Sequence, residues 1–129
     1  MLRATLALLL LAGVGALPGV AWAGAIDLRI TYRASDTAAP KIFTLRCDPA
    51  RGTVAAPGAA CRKLRAIGAD AFKPTPRGMR ACAQLYGGPM TAIVTGSYYG
   101  FRVWAKLSRV DGCAIARWNA VSFLFPRAP

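Results

Sequence analysis

Four cysteines, Cys47, Cys61, Cys82 and Cys113, constrain this chain more than any other feature, because of what precedes them. The first 23 residues, "MLRATLALLLLAGVGALPGVAWA", place Arg3 ahead of an apolar run from Leu6 to Leu17, then Pro18 and the small residues Ala21 and Ala23. That order is the pattern of a secretory signal peptide cleaved after Ala23. The competing reading is a membrane anchor, which the shortness of the run and Pro18 disfavour. Removing 23 of 129 residues leaves 106, so the expected organisation is a leader over 1–23 and one domain over 24–129. A core of this size is marginal, and an even number of cysteines in an exported chain implies two disulfides. Three pairings are open to four cysteines. There is no Cys-x-x-Cys pair and no histidine, so no metal site is expected.

Apolar periodicity divides the rest. In "IDLRITY" (26–32), Ile26, Leu28, Ile30 and Tyr32 alternate with Asp27, Arg29 and Thr31, the period of a half-buried strand. "KIFTLRC" (41–47) alternates again and can pair with it. "DPARGTVAAPG" is rich in turn residues. Beyond it, Ala60, Cys61, Leu64 and Ile67 recur at three- and four-residue spacing, predicting a short helix that Gly68 stops. A bond from Cys61 to Cys47 would tie this helix to the end of the second strand. The clearest hairpin is "MTAIVTGSY" with "FRVWAKLSRV" through Tyr99 and Gly100, with Phe101, Val103, Ala105 and Leu107 inward and Arg102, Trp104, Lys106 and Ser108 outward. "DGCAIARWNA" reads as a turn and short helix, and "VSFLF" (121–125) as a last strand. The expected fold is therefore α+β: a five-stranded antiparallel sheet with two short helices on one face and two disulfides.

Without histidine there is no Ser-His-Asp triad and no imidazole base, and the five aspartates are dispersed. No phosphate-cradling glycine motif or cofactor fingerprint is present. The chain is read as a binding protein, with no enzymatic activity and no cofactor. Its 17 Lys and Arg against 5 Asp give +12, or +11 without Arg3, a field that favours acidic partners. The basic residues are spread from Arg29 to Arg127 without a block, which reads as a solubilising surface, with no nucleic acid and no membrane as partner. The most unusual segment is "ACAQLYGGPM" (81–90). Pro74, Pro76 and Gly78 before it and Gly87, Gly88 and Pro89 after it exclude a regular strand and favour an exposed, extended loop.

Here "TLRCDPARGT", "ACRKLRAIGAD", "CAQLYGGPMTAIVTG" and "DGCAIARWNAVSFLF" resemble successive blocks of the Streptomyces subtilisin inhibitor family of secreted serine-protease inhibitors. The resemblance runs from about Lys41 to Phe125 and takes in all four cysteines in order. It implies the pairs Cys47–Cys61 and Cys82–Cys113. It also implies a reactive bond between Gln84 and Leu85, offered on a protease-contact loop of Met79, Arg80, Ala81, Cys82, Ala83 and Tyr86. The implied partner is an extracellular subtilisin-like serine endopeptidase, with trypsin- and chymotrypsin-like enzymes as further candidates. A homodimer through the sheet is implied too, with Trp104 on the outer face compatible with it. Gln84 departs from the family, whose members often carry Met or Lys there.

Two other readings stand beside inhibition. One is a basic envelope-associated or nucleic-acid-binding protein, on the strength of the charge and of Tyr98, Tyr99, Phe101 and Trp104 on one hairpin. The other is a scaffold that has kept the fold and lost inhibition, because Gly87 and Gly88 loosen the loop.

Overall fold

The computed structural model describes Gly15 and residues 25–74 and 81–127. The segment 1–23, read from the sequence as a leader, lies outside the described residues apart from Gly15, as do Met79 and Arg80. Five strands, β1 (Ile26–Arg33), β2 (Lys41–Arg46), β3 (Arg51–Gly52), β4 (Thr91–Tyr98) and β5 (Phe101–Ser108), form one sheet in the order β3-β2-β1-β4-β5. Every neighbouring pair is antiparallel. Alternation sets the faces: Ile26, Leu28, Ile30 and Tyr32 of β1 are buried, and the register places Val94 of β4 and Ala105 of β5 in line with Ile30. Tyr99 and Gly100, both at positive φ (45° and 85°), close β4 onto β5 in the two-residue turn whose twist matches that of paired strands.

The helices α1 (Pro57–Ile67) and α2 (Gly112–Ala120) complete the α+β fold expected from the sequence. Pro57 opens α1 where no backbone donor is needed, and the N–H of Gly68 closes it on the Leu64 carbonyl. Ala60, Cys61 and Leu64 of α1 and Trp118 of α2 enter the same buried cluster as the inner face of the sheet. The Cys47–Cys61 disulfide fastens α1 to the end of β2. The buried hydroxyl of Tyr98 donates to the Leu64 carbonyl at 3.1 Å, and burial raises its pKa.

Three expectations are corrected. "VSFLF" is not a strand: Ser122–Leu124 is a 3-10 helix, held by bonds from Val121 to Trp118 and from Leu124 to Val121. Its buried residues are Val121, Leu124 and Phe125, so the inward face continues that of Trp118 at helical spacing instead of alternating. The fifth strand is instead β3, two residues inside the turn-rich stretch, paired with Leu45 and Arg46. Ile67 and Phe101 have the inward parity but are 40% and 71% exposed. Ile67 is the last residue of α1, and Phe101 begins the edge strand β5.

Candidate functional site

Residues 81–88 take no regular secondary structure, and they lead directly into β4. Their shape is set from outside by the segment between β5 and α2. Cys82 is bonded to Cys113 at the start of α2, with Cα atoms 5.3 Å apart. The neighbouring Gly112 N–H donates to the Ala83 carbonyl at 2.9 Å. That carbonyl accepts a second bond, from the Leu85 N–H at 2.8 Å, which closes a three-residue turn around Gln84. Gln84 is not among the residues at positive φ, so the turn is the common inverse form. The segment is thus not extended throughout: it bends at Gln84 and thrusts that residue away from the body.

The far side of the loop is held as firmly. The Gly87 N–H donates to the Arg109 carbonyl at 2.7 Å, and the Gly87 carbonyl accepts from the Arg109 Nε at 2.9 Å. Arg109 is itself fixed by a bond from its guanidinium to the Asn119 side chain at 3.1 Å and by lying over the Trp118 ring. A Cβ on Gly87 would meet the Ile115 side chain at 2.9 Å, so glycine is what allows this approach. Gly87 does not loosen the loop; it is one of its anchors.

Between Ala83 and Gly87 stand Gln84, Leu85 and Tyr86, all exposed, Leu85 by 61% and Tyr86 by 70%. Among the described residues Gln84 has no hydrogen-bond partner. Ala81 and Ala83 are also exposed, whereas Cys82 is half-buried in its disulfide. Two large apolar side chains are therefore presented to solvent on a backbone fixed at both ends, an arrangement suited to capture by another protein's cleft.

Sequence reasoning found the loop and its cysteine but missed Arg109, Gly112, Ile115 and Asn119. One signal was there to be read: Asp111-Gly112 immediately before the fourth cysteine. Asp111 caps α2 by accepting the Ala114 N–H at 2.8 Å, and a Cβ on Gly112 would stand only 3.0 Å from that of Ala83, so glycine lets the helix start approach the loop. Cys82, Asp111 and Cys113 form the one grouping of possible metal donors among the described residues. Both sulfurs are spent in the disulfide and the carboxylate caps the helix, so the chemistry does not suit an ion.

No curated protein matches the chain. Among solved structures it is similar to sermetstatin of Streptomyces caespitosus, seen in complex with subtilisin of Bacillus licheniformis. Identity is 27%, the match covers 76% of this chain and 97% of that one, and the TM-score is 0.49. A family model described as "Subtilisin inhibitor-like" matches residues 23–108, two thirds of the chain. Since that match runs through all five strands and the loop that Cys82 ties down, the chain belongs to the subtilisin inhibitor-like family.

Proposed function

We propose that this protein is an exported inhibitor of subtilisin-type serine endopeptidases, with the bond between Gln84 and Leu85 offered as a substrate. The observation that carries the reading is the exposure of Gln84, Leu85 and Tyr86 between anchors at Ala83 and Gly87. Ala81 to Ala83 lie along the protease cleft as an added strand, and Gln84 fills its primary specificity pocket. A free peptide would lose about 0.5–1.5 kcal/mol per side chain on being ordered in that cleft. Here the disulfide and the Gly87–Arg109 pair have imposed the order beforehand.

The same anchors explain resistance to cleavage. When the protease serine attacks the Gln84 carbonyl and is acylated by it, the bond to the Leu85 nitrogen breaks and that nitrogen, receiving the serine's proton, leaves as an amine. Gly87 and Arg109 hold the amine close to the acyl carbon, where its renewed attack expels the serine and restores the peptide bond. Water must compete with a nucleophile that cannot diffuse away.

Gln84 sets the target. Its neutral amide offers no charge to the acidic pocket of a trypsin-like enzyme, and in an apolar pocket it must be hydrogen-bonded to avoid a desolvation cost of about 1–3 kcal/mol. A broad subtilisin-type pocket open to solvent meets that need. Gln84→Lys is expected to raise trypsin affinity by about tenfold or more, about 1.4 kcal/mol. An unchanged inhibition constant would remove Gln84 from the pocket.

The deciding experiment is titration of the exported protein against subtilisin, with mass spectrometry of the mixture after long incubation. Stoichiometric inhibition with slow nicking only after Gln84 is expected, on a chain that begins at Gly24 because the leader has been removed. Rapid degradation without inhibition would overturn the reading. The inhibitory unit in this reading is a homodimer paired through the open face of the sheet, on which Trp104 stands 64% exposed.

A further inference from the structure

The basic residues that are dispersed in sequence converge in the fold. Strand register places Arg29 and Arg33 of β1, Arg46 of β2, Arg51 of β3, and Arg102 and Lys106 of β5 on the face of the sheet that no helix covers. One strand residue on this face is acidic, Asp27, and its carboxylate is already paired with Arg46 at 2.6 Å. Six cations against one carboxylate leave five positive charges without an acidic partner on the face. Arg51 stands directly opposite Arg46 across β2 and β3, a like-charge pairing that weakens a sheet. Among the cations lie the exposed side chains of Trp104 and Ile42 and the hydroxyls of Thr31, Thr44, Thr95 and Ser97.

This is the face through which two copies pair in the reading above, and the inference rests on that homodimer. A two-fold interface sets one patch against itself, so the contact that one residue makes with a second is repeated by the second with the first. A patch that satisfies itself in this way must carry both signs of charge. No rotation of the second copy can bring a free carboxylate of this face to its arginines, because each Asp27 is engaged within its own sheet. Trp104 and Ile42 supply apolar contact, while the cations of the two copies repel each other.

We propose that the dimer seam holds small divalent oxyanions of the sulfate class, each bridging arginines of both copies. A guanidinium presents two parallel N–H donors that match two oxygens of such an ion, and a tetrahedral ion has four oxygens, enough for one fork from each copy. The threonine and serine hydroxyls among the cations are further donors. Chloride carries a single charge and has no paired oxygens to join two forks. A glycan or a nucleic acid would need the face to itself, and the second copy denies it that. The reactive loop enters at Thr91 and is braced by Arg109 to Cys113, beyond the ends of β4 and β5. The anion therefore governs whether two loops travel together and not how each is held.

The test uses the full chain after leader removal, with its dimer dissociation constant measured by sedimentation in sodium sulfate and in sodium chloride of equal ionic strength, so that screening is matched. A constant at least about tenfold lower in sulfate is expected. The Arg29→Ser/Arg102→Ser/Lys106→Ser variant should pair more tightly than the wild type in chloride, because repulsion is relieved, and should lose most of the preference for sulfate. Trp104→Ala should weaken pairing in both salts. Sulfate also strengthens apolar burial in general, so a preference that survives in full in the triple variant would overturn the proposal. A wild-type dimer equally tight in both salts would overturn the bridging anion and leave the homodimer standing. A monomer in both salts would overturn the homodimer and the anion together. Protease inhibition is read separately, because subtilisin titration reports on the loop alone.

Discussion

Replacing Cys82 and Cys113 together by serine is expected to turn this protein from an inhibitor into a substrate. The disulfide spans 31 residues, and its loss should cost about 3–4 kcal/mol of stability through the freedom returned to the unfolded chain. The consequence for the loop is separate and larger in effect. On the side preceding Gln84, the Gly112–Ala83 hydrogen bond is worth about 1 kcal/mol net, much less than the disulfide. After cleavage the Gln84 carboxyl end would drift from the Leu85 amine, and resealing would fail. Affinity for subtilisin should fall at least about a hundredfold, about 2.7 kcal/mol. Mass spectrometry should show complete cleavage after Gln84 while the wild type is still largely intact. The control is the Cys47→Ser/Cys61→Ser pair, which costs a similar amount of stability, about 3 kcal/mol for a span of 14 residues, but touches α1 and not the loop. At temperatures where both variants are folded, only the first should lose inhibition. Equal losses would mean that Cys82–Cys113 serves the fold and not the loop.

Gly96→Ala should produce the largest loss of stability from the smallest change. Gly96 lies in β4, flanked by β1 and β5, at φ +137°, where an L side chain is strained. A Cβ there would overlap the Asp27 carbonyl oxygen of β1 and stand 3.1 Å from the Leu28 Cα, both backbone atoms that cannot turn aside. Backbone strain alone costs about 1–3 kcal/mol, and the overlap would push apart β1 and β4, which pair along the whole length of both strands. A total of about 3 kcal/mol or more is a large share of the 5–15 kcal/mol typical of a small domain. The unfolding midpoint should drop by about 12 °C or more, measured by circular dichroism. Gly58→Ala is the matched control: in the first turn of α1 the added methyl meets only a flexible Arg62 guanidinium at 3.6 Å, and the midpoint should hold or rise. If the two variants melt together, the crowding at Gly96 is not what limits substitution there.

Some of this was legible in the sequence, and the reasons are local. The strands β1, β4 and β5 follow from alternation, the β4–β5 turn from Tyr99-Gly100, and α1 from Pro57, Gly68 and the spacing of Ala60, Cys61 and Leu64. The loop was found because proline and glycine exclude regular structure on both sides of it. Where the reading failed, a tertiary contact outweighed the local pattern. Residues 121–125 carry strand-forming side chains, but with Trp118, Phe125 and Tyr32 packed ring on ring the chain continues at helical spacing. β3 has only two residues, too few to show a period, and exists because β2 lies beside it.

By itself, then, the sequence determined a small antiparallel α+β domain with two cross-links and an exposed Gln-Leu-Tyr segment, because periodicity, turn chemistry and cysteine count act over a few neighbouring residues. Only the tertiary structure decided how firmly that segment is held. Gly87 donates to the Arg109 carbonyl across 22 positions, and Gly112 to that of Ala83 across 29, through backbone groups that carry no mark in the residue names. The gathering of six cations on one open face was equally hidden. Side chains alternate between the faces of every strand, so their shared direction depends on a register that only the assembled sheet possesses.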